Sequence, residues 1–271
     1  MLSIGKSKSY STISKPENCL RLLTLARDLR RRKSRERHSL FVAEGVRSVE
    51  ELVRSPLQIR GVLTAPQLDG APRGVLLRTL IAERRIETSA VTESEFRSAA
   101  ETESPQGVLA IAEIPSRSFE FLAGRTPLHL LVLDALQDPG NVGTILRTAA
   151  ALGADATVAL PGTVDIWNAK VVRAAMGASY HHPAFHCTAE QLFTFLDGEN
   201  IELWGSGTGG DDIGTVPVQP RLALAVGNEG AGLSSSVRER VTRSVSVPVA
   251  STVESLNVAV AAGILLHQLR K

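Results

Sequence analysis

Aromatic residues and cysteines are scarce in this chain. Among 271 residues there are two tryptophans, two tyrosines, seven phenylalanines and two cysteines. So few flat side chains leave few platforms on which nucleic-acid bases could stack. Cys19 and Cys187 are too few for a disulfide framework, and without a CxxC pair no metal site is expected. A reducing, cytoplasmic setting fits this cysteine usage. No run of about 18 apolar residues occurs, so no membrane-spanning helix is expected. The first twelve residues are polar, without the apolar core of a secretory signal and without arginine. They read as part of a flexible tail over residues 1–18 rather than a targeting segment. A content of 43% hydrophobic and 21% charged residues excludes a disordered chain.

Net charge is also low, +2, but it is unevenly spread. Residues 1–60 hold 14 Lys and Arg against 6 Asp and Glu, a net of 14 − 6 = +8. The densest part is RDLRRRKSRER, residues 27–37, with seven basic and two acidic side chains. Such a stripe is the electrostatic footprint of a polyanion, although a solvated helix face has the same composition.

Strand and helix patterns alternate along the whole chain. A basic helix is expected over residues 20–37, a strand over 39–43, a helix over 45–55 and a strand over 59–63. The pattern continues with helix over 76–85, strand over 87–91, helix over 94–100 and strand over 108–112. This is a small α/β domain, residues 19–113. Pro, Ser and Gly punctuate a linker over 114–127. Beyond it, LHLLVL (128–133) shows no alternation and reads as a buried parallel strand. Helices and strands then alternate to a long apolar closing helix over 256–269. The second domain, residues 128–271, is therefore a mostly parallel sheet covered on both faces, whose ligands bind beyond the strands' carboxyl ends.

The string GSGTGG (205–210) satisfies the GxGxxG pattern after a predicted strand. A dinucleotide site also needs a helix to open there, and the chain instead continues DDIGTVPVQP. This argues against a nicotinamide-dependent oxidoreductase and for a flexible ligand-contacting loop.

Three other motifs stand out. In DALQDPGNVGTILRTA (134–149) a strand ends, a tight turn forms, and Asn141 is placed to cap a helix carrying Arg147. Alone this is an ordinary turn with a surface arginine. In VGNEGAGLS (226–234) three glycines bracket Glu229 and leave the backbone open to a ligand, or simply make a turn. In VPVASTVESLNVAVAAGIL (247–265) Ser255 is a natural N-cap, and Asn257 is polar on an otherwise apolar helix, where burial would demand hydrogen-bond partners.

In order and spacing these motifs closely resemble the three signatures of the SpoU/TrmH family of RNA ribose 2′-O-methyltransferases, within the SPOUT superfamily. ARDLRRRKSRERHSLFVAEGVRSVEEL (26–52) resembles the opening of the L30e-like substrate-binding domain often fused to them. The resemblance implies a parallel α/β domain with a C-terminal trefoil knot, a homodimer closed by the last helix, and S-adenosyl-L-methionine as cofactor. It implies that Gly227, Val247 and Leu256 contact the cofactor, with the Ser206-Gly207 loop enclosing it. It implies that Asn141, Arg147, Glu229, Ser255 and Asn257 carry the chemistry. A guanidinium stays protonated, so Arg147 is suited to stabilise a developing alkoxide and grip a phosphate rather than to act as a plain base. The implied substrate is RNA, ribosomal RNA in preference to transfer RNA, with phosphates tracked by the basic helix. A catalytically silent RNA-binding or assembly factor of the same fold is the competing class.

Overall fold

The apolar run read as a buried strand is the centre of the larger of two sheets. The computed structural model describes residues 17–270. In chain order, α1 (Glu17–Asp28), α2 (Arg32–His38), β1 (Leu40–Glu44), α3 (Val46–Arg54), β2 (Ile59–Thr64), α4 (Pro72–Glu83), β3 (Thr88–Ala90), α5 (Glu93–Ala99) and β4 (Val108–Glu113) form the first unit. Its sheet has the order β1-β4-β2-β3, with β4 antiparallel to both neighbours and β3 parallel to β2. The second unit comprises β5 (Leu128–Asp134), α6 (Pro139–Leu152), β6 (Ala156–Ala159), α7 (Ala169–Ala174), β7 (Ala184–His186), α8 (Ala189–Glu199), β8 (Glu202–Asp212), β9 (Arg221–Gly227), α9 (Ser235–Arg238), β10 (Arg243–Ser246) and α10 (Val258–Leu269). Its six strands run parallel in the order β10-β8-β9-β5-β6-β7. β5 is buried almost throughout, as a central parallel strand with helices on both faces must be.

Four expectations are corrected. The tail expected over residues 1–18 lies outside the described residues, apart from Glu17 and Asn18, which open α1. The single basic helix over 20–37 is two helices. Arg35 turns inward, and its Nη1 donates to the carbonyls of Leu29 (2.8 Å) and Arg30 (3.0 Å). Those carbonyls would otherwise accept from the next helical turn, so α1 ends there. The helix expected from residue 76 starts at Pro72, because proline fits the first helical position. The GSGTGG stretch is no free loop. It lies within β8, and consecutive residues Ser244 and Val245 of β10 pair with Gly205 and Asp211, so 206–210 bulges from the ladder.

Residues 114–127 pack closely against the second unit. Leu122 is fully buried, and the Phe119 ring stacks on Phe195 at 4.5 Å.

The two units share one continuous apolar core. Phe41 of β1 meets Trp167 at 4.6 Å and Tyr180 at 5.9 Å between ring centres. Ser48 Oγ lies 2.6 Å from the Tyr180 hydroxyl. Arg35, 3% exposed, reaches Asp165 with Nε and Nη2 at 2.7 and 2.6 Å. The Asp165 carboxylate also accepts from the Trp167 backbone N–H at 2.9 Å. Removing one member of a buried pair strands the other charge, at a cost of roughly 3–5 kcal/mol. Asp165→Asn should therefore lower stability by about that amount in urea titrations, whereas Arg35→Met with Asp165→Leu should recover most of the loss.

At β6, Thr157 Oγ1 lies 2.8 Å from Nε2 of buried His182. Burial lowers this imidazole from 6.5 to about 4, opposed by the Asp155 charge. The ring is thus neutral when folded, and its contribution is fully present above 6.5. It is lost as pH falls toward 4, because the unfolded chain takes up the proton first. The loss amounts to about 3 kcal/mol. Stability measured across that window should fall steeply in the parent protein and less steeply in His182→Gln.

Candidate active site

The carboxyl ends of β5 and β9 are in register, Asp134 opposite Gly227, and both chains leave the sheet there. Past the end of β9 the chain folds into a closed glycine turn. Asn228 Oδ1 accepts from the backbone N–H groups of Gly230 and Ala231, both at 3.0 Å. Asn228 Nδ2 donates to the Ala135 carbonyl at 3.1 Å, and its backbone pairs with Gly232 in both directions. The buried Asp134 carboxylate accepts from the Ser234 N–H at 2.6 Å. A methyl at Gly227 would stand 2.4 Å from the Gly232 carbonyl carbon, so only glycine lets the turn fold back on the strand end. Asp134 and Asn228 were not among the sequence candidates. The only available signal was a carboxylate ending an apolar strand and an amide ending another.

From this turn Glu229 projects toward the other two motifs. Its Oε1 accepts from Asn141 Nδ2 at 2.6 Å. Asn141 Oδ1 accepts from Asn257 Nδ2 at 3.0 Å. Asn257 Oδ1 in turn accepts from the N–H groups of Ala259 (2.9 Å) and Val260 (3.4 Å). The direction of this relay is fixed at both ends. A carboxylate can only accept, and free N–H groups of a helix start can only donate, so each amide has one permitted orientation.

Two capping expectations are corrected. Asp138, not Asn141, caps α6, because its side chain accepts from the Asn141 N–H at 2.7 Å. Asn257, not Ser255, caps α10. Asn257 is exposed rather than buried, and its partners are the cap and the relay. Arg147 stands apart from the relay. It is exposed, six residues beyond Asn141 on α6, about 9 Å along the axis. Among the described residues nothing pairs with it.

Beside the relay lies a cleft of about 740 Å³. Its walls are residues 205–209 at and beside the bulge, the 227–233 turn, residues 244–249 at the end of β10 and beyond it, and 254–256 before α10. Gly227, Val247, Leu256, Ser206, Glu229 and Ser255 all line it. A Cβ at Gly209 or Gly232 would meet nothing within 4 Å, so the backbone there is open. Leu233, Val247, Leu256 and Leu265 give the cleft an apolar wall, and exposed amides with Glu229 and Glu254 give it a polar one. Such a lining suits a ligand with both an apolar part and hydrogen-bonding groups. No cluster of metal-ligating side chains occurs among the described residues.

Asn228→Ala removes three side-chain hydrogen bonds from the turn. At about 1 kcal/mol each, the turn should open at least tenfold more often. Hydrogen exchange at the Gly230 and Ala231 amides reads this directly, with the core strands unchanged.

Residues 129–267 match the SpoU rRNA Methylase family, and residues 24–110 match the MRM3-like substrate binding domain. The chain is 35% identical over 243 residues to the 23S rRNA (guanosine(2553)-2'-O)-methyltransferase RlmP of Bacillus subtilis, covering 89% of this chain and 93% of that protein. It is 29% identical over 245 residues to the 23S rRNA (uridine(2479)-2'-O)-methyltransferase of Streptomyces viridochromogenes, covering 88% and 84%. Among solved structures it resembles the SpoU methyltransferase AviRb of Streptomyces viridochromogenes in complex with the cofactor AdoMet, with a TM-score of 0.84 and 27% identity over 92% of this chain and 96% of that one. The matched span runs from the central strand into the closing helix and takes in all three segments of the relay, and by it the chain belongs to the SpoU rRNA methylase family.

Proposed function

We propose that this protein transfers a methyl group from S-adenosyl-L-methionine to a ribose 2′-hydroxyl of ribosomal RNA. The observation that carries the reading is the meeting of three sequence-distant motifs, through Glu229, Asn141 and Asn257, at the rim of a glycine-walled cleft. Ribosomal rather than transfer RNA is favoured by the 23S rRNA relatives and by the match of residues 24–110 to a substrate-binding domain.

Gly227, Val247 and Leu256 would hold the cofactor, with Ser206 and Gly207 enclosing it. When bound, S-adenosyl-L-methionine supplies a sulfonium methyl that is already activated, so the protein needs only to orient the attacking oxygen and manage its charge. The relay presents the Glu229 carboxylate in one fixed place at the rim. Asn141 and Asn257 hold it there and tie the start of α6 to the start of α10. Ser255 shapes the cleft wall beside them. Arg147 stands outside this cleft, and from the exposed side of α6 it would meet the RNA at the cleft of a second copy of the chain. Its guanidinium would stabilise the negative charge that develops on the 2′-oxygen as the hydroxyl gives its proton to solvent water and the oxygen takes the methyl, the sulfur leaving as a neutral thioether, and would fork onto the neighbouring phosphate.

Residues 19–113 would serve as the RNA-binding domain and 128–271 as the catalytic one, joined through 114–127. A second copy of the chain would cover the groove between α6 and α10, where Val260 is 52% exposed beside Gly263, Ile264 and His267. The cytoplasm, a reducing setting, suits the two free thiols.

The test is incorporation of labelled methyl into transcribed 23S rRNA and, in parallel, unmodified tRNA, with nuclease digestion and mass spectrometry of the nucleosides. A 2′-O-methyl nucleoside from the ribosomal substrate is expected. Arg147→Ala should lower kcat by about 100-fold or more while cofactor affinity is unchanged. Arg147→Lys should remain impaired, because an ammonium cannot fork onto a phosphate. Label on a base, or full activity of Arg147→Ala, would overturn the reading.

A further inference from the structure

The joint between the two units carries a polar groove that the methyl-transfer site does not use. Arg27, at the end of α1, and Arg30 and Arg31, in the break before α2, face Lys170 of α7 across a cleft of about 620 Å³. The cleft contains no apolar side chain, and its one acid is Glu101. Among the described residues nothing pairs with the side chains of Arg30, Arg31 or Lys170. Arg27 is held in place by donating from Nε and Nη2 to Ser98 Oγ at 2.9 and 2.6 Å. Through Asn168, which lines both, the cleft continues into a notch of about 360 Å³ bearing Arg32 and Gln137. Gln137 immediately precedes Asp138, the cap of the helix that carries Asn141 and Arg147.

We infer that this seam is a phosphodiester track, in which Arg27, Arg30, Arg31 and Lys170 hold consecutive phosphates of an RNA strand and hand it past Arg32 and Gln137 to the start of α6. The inference rests on the proposed RNA substrate and adds the path by which it arrives. The cations come from both units, so their spacing depends on the joint being rigid. Arg35 and Asp165, with Phe41 against Trp167, make it so. Arg35 itself is committed to Asp165 and offers the track no charge. Arg32 is paired only with exposed Glu36, at 2.7 Å. Such a surface pair is worth little and yields readily to a phosphate. The break in the basic helix thus has a consequence: it turns Arg30 and Arg31 to the seam, where an unbroken helix would rotate them about its axis by 100° per residue.

The test compares two doubly neutralised proteins of equal charge. Arg31→Gln with Lys170→Gln alters the seam, and Arg84→Gln with Arg85→Gln removes two exposed cations elsewhere on the first unit. Filter binding of transcribed 23S rRNA is measured from 50 to 200 mM KCl without cofactor, and thermal melting confirms that both variants fold. Each lost phosphate contact lowers the slope of log affinity against log salt by about 0.7. The seam pair should therefore flatten it by about 1.4, weaken binding at 100 mM at least tenfold, and raise KM for RNA. The other pair should do none of these. Equal flattening by both pairs, or an unchanged slope and KM in the seam pair, would overturn the track. The two readings fail separately. A parent protein that binds through the seam but transfers no methyl refutes the proposed activity and leaves the track, and retained transfer with an unchanged slope refutes the track alone.

Discussion

Glu229 and Asn141 are 88 residues apart in sequence, Asn141 and Asn257 are 116 apart, and each pair is joined by one hydrogen bond. The arrangement of the site depends on this relay. Its members are exposed or half-buried, so each bond contributes about 1 kcal/mol and the relay cannot hold the fold together. Its effect is on direction. Donors at the start of α10 set the orientation of Asn257, which sets that of Asn141, which points its amino group at Glu229. The burial of β5, β9 and their covering helices brings the three segments into reach, and the relay then selects one arrangement of them. Stability and orientation are supplied by different parts of the molecule.

A second constraint lies at the joint. Burying Arg35 and Asp165 costs desolvation that their attraction only offsets when every remaining hydrogen-bonding position is filled. Here most are filled, by the Leu29 and Arg30 carbonyls on one side and the Trp167 N–H on the other. The same contacts end α1 with three residues left before α2. One buried arginine therefore both ties the two units together and sets the local path of the basic segment. An apolar core that runs unbroken between the units makes hinge motion there costly, since opening it would expose Phe41, Trp167 and Tyr180 together.

How much of the molecule was legible in the sequence depended on how far each determinant reaches along the chain. β5 could be read because an unalternating apolar run is a local property. The α/β order and the motifs were legible for the same reason, whereas Gly227, Val247 and Leu256 came from the family resemblance those motifs carry and not from any local pattern. The break at residues 29–31 was not, because the group that causes it, Arg35, is committed to Asp165, 130 residues away. The bulge at 206–210 was hidden likewise, since it exists only against the register of β10. Ser255 and Asn257 are both good caps, and the choice of Asn257 is decided by Asn141 across the site rather than by the local sequence. Asn228 went unread because an asparagine after a glycine signals only a turn. That its amide also grips Ala135 is a fact of the sheet.

The shortage of aromatic side chains has a sharper meaning in the folded protein than in the composition. Phe41, Phe96, Trp167, Trp204 and Tyr180 are buried. Phe119, Phe121, Phe185, Phe193 and Phe195 belong to the core beneath the 114–127 segment and α8, with Arg117 and Arg125 over Phe121 and Arg240 over Phe193. Among the described residues, then, no aromatic ring is exposed to receive a base. An RNA partner meets, among these residues, arginine forks and backbone amides rather than exposed aromatic rings, which favours contacts to phosphates, sugar hydroxyls and base edges. Contacts of that kind depend strongly on salt and read shape more than sequence. With the seam as the proposed phosphate track, selection of one nucleotide would depend on which RNA surface brings a 2′-hydroxyl to the relay while its flanking phosphates meet the cations of the joint.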